Sequence, residues 1–353
     1  MKKVLLGVLL IFSFSLFTNA QLKPSITGLA CRDFGRVQAT DDEVMKHISA
    51  IIVQLNWNEI QPEENGAIVR NNDLDKAIKW VQSFKAKYGV DIALKVRLYC
   101  GFHSPHWLLN KVGYLEARGE RIPKFWKPDF INAFTDVQSK LAVIYDNIPE
   151  VREVVDGGTS LTTAEALIRP FKESPKAQMI ANAFLNAGYS AEADSIAIVR
   201  SFDAMKAWKK TLVSVCFSNW KTVDKNGNTS TDVSRTFGFI KIFVSKFGKQ
   251  AVIGNNGLRP GMGSKHAERW QEGGDMYALY NYFKKVHNEQ GVQIYFQTAS
   301  DQRIGDLQQA IKDGIGYGAS YIELPGAPRD YTGDLPVTAM NELSKQLKAN
   351  IKG

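Results

Sequence analysis

Eight short apolar runs, each followed by a stretch of helical periodicity, recur along this chain. That alternation constrains the fold more than any other feature. The runs are Ile26–Phe34, Ala50–Leu55, Asp91–Tyr99, Val151–Val155, Leu212–Phe217, Ala251–Gly254, Val292–Gln297 and Ser320–Leu324. Ala50–Leu55 reads AIIVQL, nearly all apolar, as a strand buried on both faces of a parallel sheet should be. Between the runs, Asn71–Tyr88 places Leu74, Ile78, Val81 and Phe84 at helical spacing, and Gly89 closes the pattern. Strands alternating with helices argue a parallel sheet. A count of eight argues closure into a ring. The expected fold is α/β, a single (β/α)8 TIM barrel over residues 21–353. Two departures from regularity are expected. One is a long loop after the third strand, Phe102 to Pro128. The other is a helical insertion after the fourth, within Ser174–Lys210 and broken at Gly188. Lys221–Ser230 reads as turn-rich.

The first twenty residues lie outside that pattern. Lys2-Lys3 precede an apolar run, Val4–Phe17, and then Thr18-Asn19-Ala20. A basic start, a short apolar stretch and small residues make a secretory signal peptide with cleavage expected after Ala20. It is too short for a spanning helix. No cysteine follows the run, which argues against a lipid anchor, and no second run reaches spanning length. A secreted or periplasmic protein with no stable membrane anchor is expected. Its oligomeric state is not encoded in any motif.

Net charge is +8, but the Lys and Arg residues are scattered, which excludes a nucleic-acid footprint. Cys31, Cys100 and Cys216 are an odd number without metal-type spacing and are expected as buried thiols. There is no G-x-S-x-G, Gly-rich phosphate loop or dinucleotide fingerprint, so no cofactor is expected.

In a barrel of this kind the active site lies at the strand C-terminal ends. The chain after Val151–Val155 passes Gly157-Gly158 and delivers one carboxylate, Glu165. Glu323 lies near the end of the eighth strand and Glu59 a few residues past the second. Asp33, Asp156 and Asp301 form a second rank. The strand-end loops also carry Trp57, Trp107, Trp126, Trp220, Trp270, Asn255 and Gln297. Aromatic faces stack on sugar rings while amides and acids bond the hydroxyls, so the mixture suits a carbohydrate cleft. Glycoside hydrolysis uses two carboxyl groups flanking the scissile bond. Glu165 is the expected acid and Glu323 its expected partner; the competing role for Glu323 is a buried acid bonded to Arg or Lys. Arg97 and Tyr99 alternate on the third strand, one face of which points inward. His103 and His106 form H-x-x-H, but Pro105 forbids a regular helix there and no third ligand is evident. Substrate hydrogen bonding or loop structure, not metal, is expected of them.

These segments resemble a known family. Leu55-Asn56-Trp57-Asn58-Glu59-Ile60-Gln61-Pro62-Glu63-Glu64-Asn65-Gly66 is similar to the W-x-x-[IL]-x-P-x-x-G stretch of clan A glycoside hydrolases, β-galactosidase-like barrels among them, with Gly66 one residue late. His103-Ser104-Pro105-His106-Trp107-Leu108 and Phe125-Trp126-Lys127-Pro128 also resemble them. The resemblance implies an acid after the fourth strand, where Glu165 stands, although Ala164 precedes it instead of the usual Asn. It implies a nucleophilic Glu at the end of the seventh strand, where this chain has Gln297. An amide cannot be that nucleophile. Three readings stay open: an exported glycoside hydrolase acting on an oligo- or polysaccharide, a non-hydrolytic carbohydrate-binding barrel, and a lyase on a uronate-containing glycan with His103 or Tyr99 as base and Arg97 neutralising the carboxylate.

Overall fold

The computed structural model describes residues 21–352 apart from 39, 118, 170–174, 262–274, 301–303 and 327–332. The proposed signal peptide, Trp270 and Asp301 lie outside the described residues. Eight parallel strands form a closed ring: β1 (Gly28–Arg32), β2 (Ala50–Asn56), β3 (Ala93–Tyr99), β4 (Val151–Val155), β5 (Leu212–Cys216), β6 (Ala251–Leu258), β7 (Gln293–Thr298) and β8 (Ala319–Glu323). Around the ring the order is β1-β8-β7-β6-β5-β4-β3-β2, with β1 pairing both β8 and β2. The chain is a (β/α)8 barrel.

Strand faces divide the core in two. Outward residues such as Leu29, Ile51, Val53, Leu94, Val96 and Ile253 join the large cluster under the helices. Inward residues form a separate small cluster that includes Ala30, Ala50, Ile52, Ala93, Leu212, Val252, Tyr295 and Tyr321. The small residues leave room for the two tyrosine rings, which stack at 5.4 Å and 9°. Gly254 is required by the same crowding, because a Cβ there would come within 2.3 Å of the Tyr295 ring. Lys23 ties the N-terminal segment beneath the ring, donating to the carbonyls of Ile148 at 2.8 Å and Val151 at 2.7 Å and to the Thr211 hydroxyl at 2.8 Å.

Local chemistry sets the helix ends. Asn72 caps the helix Asp73–Tyr88 by accepting from the Leu74 and Asp75 amides, a contact worth about 1 kcal/mol. Gly89, at φ 69, ends it. The long loop after β3 is more ordered than composition suggests. It holds a short helix, His106–Val112, and an antiparallel hairpin of Tyr114–Ala117 with Glu120–Pro123. The turn-rich stretch after β5 is likewise a hairpin, Trp220–Val223 with Thr229–Asp232. Gly119 and Gly227, in the connections of the two hairpins, take positive φ. After β4 there are two helices, Pro175–Asn186 and Ala191–Ala204, separated where Gly188 takes φ 84. Ala191–Ala204 packs on the preceding barrel helix, Pro128–Tyr145, while Pro175–Asn186 lies against the hairpin strand Tyr114–Ala117 and is the inserted element.

Candidate active site

The floor of the barrel mouth is built from alternating inward positions. On β3 these are Lys95, Arg97 and Tyr99; on β4 Glu153; on β7 Tyr295 and Gln297; on β8 Tyr321 and Glu323. Lys95 and Glu323 are wholly buried. The Lys95 ammonium pairs with Glu153 at 2.9 Å and with Glu323 at 2.8 Å, donates to the Tyr321 hydroxyl at 2.8 Å, and lies 3.3 Å from the Tyr295 ring centroid. Tyr321 in turn donates to Glu153 at 2.6 Å. Above this layer the Arg97 guanidinium donates to the Glu323 carboxylate and, at 2.7 Å, to Gln297 Oε1. Taking a charge out of water costs several kcal/mol per ion, and only close multiple partners offset it. Burial raises the Glu323 pKa, but Arg97 and Lys95 outweigh it and hold the carboxyl below its usual value. Glu323 is therefore an ionised group whose oxygens face two cations.

Glu165 has a different setting. The chain that carries it leaves β4 through two glycines that permit close packing. A Cβ on Gly157 would come within 2.7 Å of the Leu98 carbonyl, and one on Gly158 within 2.8 Å of the Phe134 ring. The loop then meets the one after β3, where Gly101 lies directly on Leu161 and the Phe102 amide donates to the Leu161 carbonyl at 2.8 Å. Glu165 itself is half-buried. One carboxylate oxygen accepts from the Thr163 hydroxyl at 2.5 Å, and the other faces the Cys216 thiol at the end of β5, at 3.9 Å. Burial, with smaller effects from Glu165 and Glu323, raises the half-buried Tyr99 phenol. Arg97 opposes that rise. Tyr99 therefore feels both acids. His103 tilts against it, ring centroids 5.6 Å apart.

The remaining candidates differ in exposure. Glu59 and His106 are exposed, Glu59 accepting from Asn56 Nδ2 at 2.9 Å. Trp57, Trp126, Trp220 and Asn255 are buried. Trp57 donates to Gln61 at 2.9 Å and meets Trp107, Phe130 and Phe134 edge-on. Trp107 is half-buried and donates to the Gln61 carbonyl at 3.2 Å. Trp126 packs on Phe184 and Tyr189. Trp220 donates to Asp194 at 3.0 Å. Asn255 donates to the Phe217 carbonyl and accepts from Tyr280, both at 2.8 Å. Of the second-rank acids, Asp33 is exposed just past β1 with φ 66, while Asp156 is wholly buried. Sequence reasoning missed Lys95, Glu153, Tyr295 and Tyr321. The signal was available in the two-residue spacing of Lys95, Arg97 and Tyr99.

No family model matches this chain, and no curated protein is similar to it in sequence. Solved structures do share its fold. The catalytic domain of a β-amylase from Paenibacillus polymyxa superposes with a TM-score of 0.53 at 8% identity, over 95% of this chain and 100% of that one. A β-galactosidase from Rahnella sp. R3 gives 0.54 at 13%, over 93% of this chain but only 57% of the other. XacCel5A, solved in complex with cellopentaose, gives 0.51 at 14%, over 91% and 99%. The barrel is thus of the kind glycoside hydrolases use, and identities this low establish the fold alone.

Proposed function

We propose that this protein is an exported glycoside hydrolase acting on an oligo- or polysaccharide, with Glu165 as the proton donor to the glycosidic oxygen. The observation that supports this reading most is the setting of Glu165: a half-buried carboxyl at the mouth of a glycosidase-type barrel, held by Thr163 and facing Cys216. Gln297 cannot form a glycosyl ester, and Glu323 is engaged by Arg97 and Lys95. We therefore assign attack on the anomeric carbon to a water molecule, with inversion of configuration. Arg97 and Gln297 form a polar floor for sugar hydroxyls. Residues 1–20 direct export and are removed; N-terminal sequencing of secreted protein starting at Gln21 is the expected result.

The test is incubation with a glycan library, scored for released reducing ends and for the first-formed anomer by proton NMR. Turnover with inversion, lost in Glu165→Gln, is expected. Retention of configuration would remove the water mechanism.

One observation favours a second reading. With Gln297 bonded to Arg97 and Glu323 ion-paired beside it, the barrel can hold a sugar without cutting it. Calorimetric binding of a glycan with no reducing ends released identifies that case. The lyase reading needs a base; the raised Tyr99 phenol is protonated near neutral pH, which leaves that role to His103, whose ring lies against it.

A further inference from the structure

Glu165 stands on irregular backbone, yet a proton donor must be held to within about 0.5 Å of its working position. A buried ion pair not used in the mechanism lies beneath that backbone. Arg169 and Asp194 are both buried, at 2% and 0% exposure. Arg169 Nε donates to Asp194 Oδ2 at 2.9 Å and its Nη2 to Asp194 Oδ1. The other terminal nitrogen, Nη1, donates to three carbonyls of the Glu165 loop: Thr159 at 3.1 Å, Ala166 at 2.8 Å and Ile168 at 3.1 Å. The Thr159 hydroxyl also donates to the Ala166 carbonyl, at 2.7 Å. The loop is thus closed on itself at the residue next to Glu165. Asp194, on the helix Ala191–Ala204, further accepts from Tyr189 at 2.8 Å and from Trp220 at 3.0 Å. The guanidinium lies 4.6 Å from the Phe125 ring.

We propose that the Arg169–Asp194 pair is a positioning device for Glu165, with Trp220 as its brace from the loop after β5. Loop carbonyls have no sheet partner, and each one left bare in a dry site would carry its full desolvation penalty. One guanidinium satisfies three of them. Its fixed fork fits this arrangement, which the single point charge of a lysine does not. The role rests on Glu165 being the acid, but the clamp itself is a statement about loop geometry and can be tested without turnover.

The experiment compares wild type with Arg169→Lys and Trp220→Phe, with Arg152→Lys as a control outside the clamp. Carboxyl-carbon NMR, with the Glu165 signal assigned from Glu165→Gln, follows its titration. Amide hydrogen exchange follows residues 159–168. A shifted Glu165 titration and at least tenfold faster exchange confined to that loop are expected for Arg169→Lys, with a smaller effect in the same direction for Trp220→Phe. On a panel of 4-nitrophenyl glycosides, the same variants are expected to lower kcat by ~10- to 100-fold with KM within twofold. Unchanged titration and loop exchange in both variants would overturn the clamp. A merely stabilising role predicts faster exchange spread over the whole barrel and an unmoved titration, and overturns it equally. Should Arg169→Lys fail to fold, Trp220→Phe carries the same comparison. Wild-type turnover in Glu165→Gln would instead sink the acid assignment, a separate result read in a separate assay.

Discussion

Arg97 bridges two neighbouring strands, donating to Gln297 on β7 at 2.7 Å and to the carboxylate of Glu323 on β8. Those two acceptors are direct register partners across the sheet. The end of β7 is therefore locked to a cation from β3, and the charge of Glu323 is spent inside the barrel.

That arrangement fixes what removing Glu323 should do. Glu323→Gln would leave Lys95 and Arg97 with Glu153 as the remaining buried anion of this layer. Breaking a buried pair from one side costs about 3–5 kcal/mol, and a loss of that size in urea denaturation is expected. Arg97→Met should also destabilise, and the double variant should lose much less than the two singles combined. Additive losses would mean the pair is not coupled.

Glu165 should behave in the opposite way. It is half-buried, and the amide of Glu165→Gln can still accept from Thr163. Stability should stay within about 0.5 kcal/mol of wild type. Release of reducing ends should fall by ~10²- to 10⁴-fold, the usual contribution of a general acid. A variant that loses activity only because it melts would count against the assignment.

Asp156 supplies a pH dependence. It is wholly buried, accepting from the Gly158 amide at 2.9 Å and from the Ser201 hydroxyl at 2.8 Å. Burial pushes its carboxyl from 3.8 up to about 6, against the pull of those two bonds. Between these values the folded state holds a proton that the unfolded chain has released. This contribution to stability is full below pH 4 and is lost as pH rises through 6. Asp156→Asn removes the titration and keeps an acceptor for Gly158. We expect it to be more stable than wild type at pH 7, by up to about 3 kcal/mol for a two-unit shift, and nearly equal to it at pH 4. A constant difference at both pH values would refute the assignment.

Trp57 separates packing from binding. It is wholly buried and its indole nitrogen is bonded to Gln61. Trp57→Phe should cost about 1–3 kcal/mol, from the lost bond and the gap left behind. KM for any glycan turned over should change less than twofold. A tenfold rise in KM with unchanged stability would make it a sugar platform after all.

The eightfold alternation was enough to specify the ring, because a strand buried on both faces must be apolar along its whole length and a helix on one face only. Runs such as Ala50–Leu55 and patterns such as Asn71–Tyr88 carry that requirement in local order, and Gly157-Gly158 and Glu165 were visible as a loop after a strand. What the sequence could not decide was which polar side chains meet. Lys95 and Glu323 are separated by most of the chain, and closure of the ring brings their charges to 2.8 Å. The same holds for Trp57, Trp126 and Trp220, which carry one residue name whether they face a ligand or the core. Periodicity is a property of neighbours in the chain, whereas an ion pair or a buried ring is a property of neighbours in space, and only the tertiary structure determines those.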